Sequence, residues 1–162
     1  KISKIGEVVK IKVMATGTFD ILHPGHLFYL NEARKLGGAD AHLVVVIATD
    51  KTVKEHKKVP VIGEKQRCEM VNAFGCVDEA FIGDEDDPFK IVKEQKPDII
   101  AIGPDQKFNP ENLEAQLKSI GIDVKAIKID SYKEFELDSS CKIIKKIKNT
   151  HFNEKYFDEC DL

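Results

Sequence analysis

The sequence predicts an α/β fold, a Rossmann-like open parallel five-stranded sheet with helices on both faces. Two observations predict it. Short apolar runs alternate along the chain with stretches of helical character, which is the pattern of βαβ units. The unbroken apolar run at 43–47 is typical of a parallel strand, which is buried on both faces. The 162 residues suit a single domain, 1–162, with a core at about 10–148 and a carboxyl-terminal tail at 149–162.

Each element of the amino-terminal half follows from a local signal. Pro24 suits the first position of a helix, because its fixed φ is helical and no N–H is needed there. Gly37-Gly38 ends that helix, and Pro60 and Gly63 mark the loop before the next long one. The predicted elements are a strand near 9–15, a helix near 24–37, a strand at 42–48, a short helix near 50–56 and a helix at 64–74.

The carboxyl-terminal half continues the alternation. Pro97 starts a strand, Gly121 closes a helix, and Ser139-Ser140 opens the last helix. The predicted elements are a strand near 78–82, a helix from Asp87-Pro88 to Gln95, a strand at 98–102, a helix at 110–120, a strand near 123–129, a polar loop at 131–138 and a helix near 140–149. The tail beyond 149 is charged and aromatic, and we leave open whether it is a docked helix or a mobile end.

Composition excludes several classes of function. The net charge is only −3, whereas a protein that binds nucleic acid is usually basic, so we expect no nucleic-acid partner. The longest apolar run, at 43–48, is too short to cross a bilayer, so we expect no membrane partner. The four cysteines form no CxxC pair, which argues against a zinc site or a disulfide framework and favours reduced thiols in the cytoplasm.

The segment between the first strand and the first helix predicts a phosphate site. Ligands of open α/β sheets bind at the carboxyl ends of the strands, where the strand order reverses. The first strand ends near Gly17, which lacks a Cβ at a place where a ligand would approach the backbone. Gly25 and His26 offer backbone N–H groups at the positive end of the helix that Pro24 begins, and such a helix end attracts anions.

His23 and His26 are the candidate catalytic residues. They are three positions apart across the first helical turn, so both imidazoles can face one phosphate and stabilise charge that grows on it. A lone histidine here would more often cap the helix or pack. Two histidines with Pro24 and Gly25 favour the phosphate role. A metal site formed by the pair is the weaker alternative, because the sequence offers no obvious further ligand.

The motif Gly-Thr-Phe-Asp-Ile-Leu-His-Pro-Gly-His at 17–26 resembles the HxGH signature of the cytidylyltransferase-like nucleotidylyltransferase superfamily. The resemblance extends from residue 11 to about 148. It implies that Thr18 and Phe19 contact the nucleotide through their backbone, with the Phe19 ring as a packing residue. It also implies in-line transfer of a nucleotidyl group without a covalent enzyme intermediate. Because a triphosphate carries several negative charges, we expect Mg²⁺ or another divalent cation to bind its oxygens. A homodimer is a further implication.

Five other site residues are predicted with the help of this resemblance, and each has a plainer alternative. Ser139 and Ser140 are nucleotide-binding candidates that could simply cap a helix. Asp105 could accept a hydrogen bond from a base or ribose, or could be a turn residue. Lys58 and Arg67 are the candidates for binding the acceptor phosphate, or could simply be solvated surface residues; the planar fork of arginine suits the phosphate role. Two further residues complete the predicted set: Tyr132 could stack on the base, and Asp20 orients the loop or helps hold a metal.

The details of the motifs resemble small archaeal FAD synthases more than glycerol-3-phosphate cytidylyltransferases. The resemblance rests on Pro24 after the first histidine, on Gly103-Pro104-Asp105-Gln106 after the fourth strand, and on Ser-Ser-Cys-Lys-Ile-Ile at 139–144. It implies transfer of AMP from ATP to FMN. The alternatives are cytidylyl transfer from CTP to glycerol phosphate or another sugar or polyol phosphate, and, more remotely, a nucleotide-binding module without catalysis.

Overall fold

The computed structural model describes residues 9–56 and 58–158, and within them it has five strands and seven helices. The strands are β1 (Lys12–Gly17), β2 (His42–Ile47), β3 (Glu79–Ile82), β4 (Ile99–Ile102) and β5 (Lys125–Lys128). The helices are α1 (Pro24–Lys35), α2 (Asp50–Glu55), α3 (Glu64–Asn72), α4 (Lys90–Gln95), α5 (Pro110–Ser119), α6 (Ser140–Asn149) and α7 (Glu154–Asp158). None of these helices is both long and apolar enough to cross a bilayer.

The sheet is parallel throughout, in the order β3-β2-β1-β4-β5. In β1, Met14 lies between Val44 of β2 and Ile100 of β4. The chain adds β2 and β3 on one side of β1 and then crosses to add β4 and β5 on the other. The strand order therefore reverses between β1 and β4, and a crevice for a ligand is expected at their carboxyl ends.

Side chains alternate between two cores, one on each face of the sheet. Val13 and Ala15 face the core that α1 and α3 cover, whereas Met14 faces the core that α4 and α5 cover. Both Val13 and Met14 are fully buried, which explains why these strands have unbroken apolar sequences. The predicted five-stranded parallel sheet with helices on both faces is confirmed.

Some predicted boundaries of strands and helices differ from the observed ones, at places where the local sequence signal was ambiguous. The first strand covers Lys12–Gly17 rather than 9–15, because its pairing with β2 extends to Gly17 and Ile47. Helix α4 begins at Lys90 rather than at Asp87, because the Asp87 carboxylate accepts a hydrogen bond from Phe89 N in a turn before the helix. In the tail, α7 forms at Glu154–Asp158; residues 159–162, with Cys160, lie outside the described part.

Tyr29 joins β1 to β4 near their carboxyl ends. Its hydroxyl donates to Ala101 O at 3.0 Å and lies 3.3 Å from both the N and the O atoms of Thr16. The ring is buried beneath these two strands, and burial raises the pKa of the phenol, so it stays protonated as a donor. The sequence did not predict this role, because a tyrosine at this position of a helix is equally typical of an ordinary core residue.

Replacing Tyr29 by Phe is expected to lower the free energy of unfolding by about 1–3 kcal/mol, because the buried carbonyl of Ala101 loses its side-chain donor. Urea denaturation measures the change. The control is Leu27→Ala, at an exposed position on α1, which is expected to change the free energy of unfolding by only about 0.5 kcal/mol. A Tyr29→Phe variant as stable as the parent would show that the hydroxyl does not hold the strands together.

Candidate active site

The segment from β1 to α1 depends on the unusual backbone of Phe19. Its φ is +53°, in the left-handed region that few non-glycine residues adopt, and its ring is buried. The ring lies over Gly17, where an added Cβ would be 2.8 Å from Phe19 Cε2. Gly17 therefore makes room for a packing side chain, not for a ligand as its position in the sequence suggested. The predicted packing role of the Phe19 ring is confirmed.

Three charged side chains hold this segment in place: Asp20, Asp50 and Arg67. The Asp20 carboxylate accepts hydrogen bonds from Val61 N at 2.9 Å and Ile62 N at 2.7 Å. These bonds tie the loop after β1 to the loop before α3. The orienting role that we favoured for Asp20 agrees with this geometry.

Arg67 has a different role from the predicted one. Its guanidinium donates to Thr18 O, to Ile62 O at 2.8 Å and to Asp50 Oδ1 at 2.7 Å, and the residue is 1% exposed. The bond from Arg67 lowers the pKa of the Asp50 carboxyl, so the pair stays ionised. A phosphate cannot reach this buried group in the present arrangement. The planar fork binds backbone carbonyls and a carboxylate instead of an acceptor phosphate.

His23 and His26 face each other at the start of α1. His23 is the N-cap residue in an extended conformation, Pro24 occupies the first turn, and His26 N donates to His23 O at 3.0 Å. The side chain of His23 makes no capping hydrogen bond, so the plain capping interpretation is wrong. The two imidazole rings stack with their centroids 3.7 Å apart and their planes at 26°. The Phe19 ring supports His26 from below at 5.1 Å between centroids.

Partial burial favours the neutral form of both imidazoles. It lowers the pKa of His26 to about 3, with the neighbouring His23 as the second cause. Burial also lowers the pKa of His23, although the charges of Asp138 and Asp105 act in the opposite direction. Both Nδ1 atoms are buried and have no hydrogen-bond partner among the described residues. An incoming phosphate would supply an acceptor and a negative charge, which favours the protonated form of each ring.

The amino terminus of α6 lies against the amino terminus of α1. A Cβ on Gly25 would be 2.8 Å from Asp138 O, so only glycine permits this approach. Ser139 caps α6, accepting a hydrogen bond from Lys142 N at 3.2 Å, as the plainer interpretation of this serine had it. Ser140 Oγ lies 3.5 Å from Ile21 O. The structure thus brings the predicted histidines and serines together, with two positive helix ends side by side.

Gln106 closes the site at the crevice between β1 and β4, and sequence reasoning did not single it out. Its amide nitrogen donates to Thr16 O at 2.9 Å, and its amide oxygen accepts from Gly103 N at 2.8 Å. The neighbouring Asp105 is exposed, and its charge acts on both His23 and Tyr132. Asp105 is thus placed at the crevice, where its predicted contact with the base or ribose stays a prediction.

Tyr132 and Lys58, two further predicted site residues, are both exposed. The Tyr132 hydroxyl donates to Asp138 Oδ2 at 2.6 Å, a bond that raises the pKa of the phenol to about 12, while 52% of the residue is exposed. Stacking of a base on this ring stays a prediction. Lys58 is exposed on the loop between α2 and α3, and its role as a ligand of the acceptor phosphate also stays a prediction. Lys57 lies outside the described residues.

Metal ligands are sparse in the part of the chain that the structure describes. No group of three or more His, Cys, Asp or Glu side chains is placed to hold an ion there. Cys68, Cys76 and Cys141 are free thiols.

Residues 14–146 match the sequence model of one known protein family, which is described as cytidylyltransferase-like. The chain belongs to this family. It is a nucleotidyltransferase, and the HxGH interpretation of residues 23–26 is confirmed at the level of the family.

Curated relatives cover nearly the whole of both chains. A FAD synthase of Methanosphaera stadtmanae is 66% identical over 147 residues, which are 91% of this chain and 99% of that protein. A FAD synthase of Methanothermobacter thermautotrophicus is 55% identical, covering 91% of this chain and 98% of that protein. The archaeal FAD synthase resemblance seen in the motifs is therefore confirmed.

Solved structures support the fold. A lipopolysaccharide core biosynthesis protein of Thermoplasma volcanium superposes with a TM-score of 0.72 at 45% identity, covering 76% of this chain and 99% of that one. A pantoate-β-alanine ligase of Francisella tularensis shares the fold at 15% identity, with a TM-score of 0.53, over 77% of this chain and 60% of that one.

The half-buried His26, whose pKa is lowered, predicts that the protein without ligand loses stability in mild acid. Its pKa is near 3 when folded and near 6.5 when unfolded, so below about pH 6.5 the unfolded chain binds a proton that the folded chain does not. The stability that the neutral ring contributes is fully present above pH 6.5 and falls as the pH drops toward 3. Between pH 7 and pH 5 we expect a loss of about 1–2 kcal/mol from His26.

Urea denaturation of the parent and of His26→Gln at both pH values isolates this contribution, because the variant lacks the titrating ring. His151→Gln, at an exposed position in the tail, serves as the control and should behave like the parent. Equal pH dependence in the parent and in His26→Gln would contradict a neutral His26 in the folded state.

Proposed function

We propose that this protein is a FAD synthase that transfers AMP from ATP to FMN and releases pyrophosphate. The observation that carries the proposal is the stacked, half-buried pair His23 and His26 at the start of α1, beside the amino terminus of α6. The support for FMN as acceptor comes from two FAD synthases that are 55% and 66% identical to this chain over 91% of its length.

The proposed chemistry is a single displacement. A terminal phosphate oxygen of FMN attacks the α-phosphorus of ATP, a new P–O bond forms, and the bond from the α-phosphorus to the bridging oxygen breaks. The electron pair of that bond leaves with pyrophosphate. No residue of the enzyme needs to form a covalent bond, so catalysis consists of positioning and charge stabilisation.

The residues of the site divide this task by position. Negative charge grows on the oxygens of the α-phosphate and of pyrophosphate, and His23 and His26 supply imidazole N–H donors next to a positive helix end. The backbone N–H groups at Ser139 and Ser140 supply a second positive end for the outer phosphates. Because these donors are fixed before the substrate arrives, little reorganisation is needed during the reaction.

We propose that Mg²⁺ or another divalent cation arrives with the nucleotide. The described residues offer no protein-only site for such an ion, whereas Mg²⁺ readily binds phosphate oxygens and water with one or two carboxylates. When bound, the ion would neutralise charge on the leaving pyrophosphate. Loss of turnover on adding EDTA, with recovery on adding Mg²⁺, would support this; full turnover in EDTA would contradict it.

A homodimer and a cytoplasmic location complete the proposal. In α6, Ile144 is 43% exposed and Ile147 is 54% exposed, so the helix has an uncovered apolar face that a second copy could cover. Free thiols at Cys68, Cys76 and Cys141 fit a reducing compartment. Light scattering should give a dimer for the parent and a monomer for Ile147→Glu; a monomeric parent would contradict the proposal.

A substrate panel tests the reaction. Pyrophosphate release and FAD formation are measured with ATP or CTP and with FMN or glycerol phosphate as acceptor. We expect release with ATP and FMN, and none with glycerol phosphate. Release from CTP and glycerol phosphate alone would indicate a polyol-phosphate cytidylyltransferase, and nucleotide binding without release from any pair would indicate a binding module.

His26→Ala is expected to reduce turnover by roughly 10²–10³-fold, because it removes one fixed donor from the developing charge. Circular dichroism should show the parent's fold. His151→Ala is the matched control, since that histidine is exposed in the tail, and its turnover should equal that of the parent. A His26→Ala enzyme with nearly full turnover would remove His26 from the catalytic residues.

A further inference from the structure

Asp138 is a buried charge at the centre of the site, and neither the motif pattern nor the proposed chemistry uses it. The residue is 5% exposed, in the loop just before α6. A carboxylate is stable in such a place only when its oxygens are paired. What Asp138 pairs with therefore indicates what it holds in position.

The side chain of Asp138 binds three groups around the start of α6. Oδ2 accepts a hydrogen bond from the Tyr132 hydroxyl at 2.6 Å and another from Phe135 N at 3.2 Å. Oδ1 forms an ion pair with Lys142 Nζ at 2.7 Å. The bond from Lys142, followed by that from Tyr132, holds the pKa of the carboxyl far below its usual range. The loop at 132–138 and the first turn of α6 are thus fastened to one carboxylate.

The backbone of the same residue touches the other helix. Asp138 O occupies the space where a Cβ of Gly25 would lie, at 2.8 Å, so the first turn of α1 rests directly on it. Ser140 Oγ, 3.5 Å from Ile21 O, adds a second link between the two segments. Asp138 therefore contacts α6 through its side chain and α1 through its carbonyl, and it lies between the two helix ends that carry the histidines and the serines.

We propose that Asp138 is a positioning residue that keeps the amino termini of α1 and α6 at the spacing required by the outer phosphates of the nucleotide. The inference rests on the proposed function, and it concerns the phosphate site shared by any nucleotide substrate. Both carboxylate oxygens of Asp138 already have partners in the chain, so we assign it no contact with the reacting atoms. It acts by holding two sets of anion-binding N–H groups as one unit.

The test compares Asp138→Asn with Asp84→Asn. Asp84 has the same kind of partners, namely Lys90 Nζ at 2.7 Å and the backbone N atoms of Asp86 and Asp87 at 2.9 Å, but it lies in the loop after β3. Loss of a carboxylate charge should reduce stability in both variants. Only Asp138→Asn should alter the phosphate site, so a merely structural role is separated from a positioning role.

The probe is inorganic pyrophosphate with Mg²⁺, titrated by calorimetry into the full chain. We expect Asp138→Asn to bind it about tenfold more weakly than the parent, as follows from displacing one charge-assisted contact. Asp84→Asn should bind like the parent. In steady-state assays the KM for ATP should rise about tenfold while the KM for FMN stays within about twofold, because only the phosphate site has moved.

Two outcomes would overturn the proposal. The first is parental affinity for pyrophosphate in Asp138→Asn, and the second is an equal loss in Asp84→Asn. If Asp138→Asn does not fold, Tyr132→Phe and Lys142→Met each remove one partner of Asp138. Each should weaken pyrophosphate binding by a few-fold, and the effects in the double variant should not add, since both act through one carboxylate. Parental binding in both would count against the role.

Failure of the proposed function would look different. A parent that binds pyrophosphate but forms no FAD would refute FAD synthesis, and the comparison of Asp138→Asn with Asp84→Asn would still decide the role of Asp138. A parent that does not bind pyrophosphate at all would overturn the inference as well, because there would be no phosphate site to position.

Discussion

The buried guanidinium of Arg67 is the interaction on which the rest of the site depends. It lies under the turn between β1 and α1, and its donors are bound to Thr18 O, Ile62 O and Asp50. A turn that holds Phe19 at positive φ would be unfavourable in an isolated chain, and such conformations persist only where the surroundings determine them. Arg67 and the Phe19 ring, packed over Gly17, provide those surroundings. The direction in which α1 starts follows from this turn.

The direction in which α1 starts also determines how far the two histidines are buried, and burial lowers their pKa values. His26 rests on Phe19 and stacks on His23, so both rings are half-buried, and this burial lowers the pKa of each. The two helix ends meet because Gly25 has no side chain to keep Asp138 O away. Gly25 is therefore the residue that allows the histidines of α1 and the serines of α6 to lie next to each other. The family's motif places glycine between its histidines, and this contact supplies a physical reason for it in this chain.

Local patterns predicted the parallel sheet and most of its elements, because burial on both faces leaves unbroken apolar runs such as 43–47. They failed at boundaries. The start of α4 depended on whether the Asp87 side chain would bind a neighbouring N–H in a turn, which propensity does not decide. Among site residues, the pairing of His23 with His26 followed from helical spacing alone. The roles of Tyr29 and Gln106 did not, because each bonds to a strand that is distant in the sequence. The role of Asp138 did not, because its carbonyl meets Gly25 of α1 only in the folded chain.

The sequence by itself determined the order of strands and helices, the pairing of the two histidines at the start of α1 and the family to which the chain belongs, because all of these depend on residues near one another in the chain. Only the tertiary structure decided what the charged residues do. A surface arginine and a buried one have the same local sequence signal, and Arg67 became a structural residue because carbonyls 49 and 5 residues away, with Asp50, surround it. Asp138 came to lie between two helix ends for a related reason: its side-chain partners are close in sequence, but its carbonyl meets Gly25 of α1 only in the folded chain.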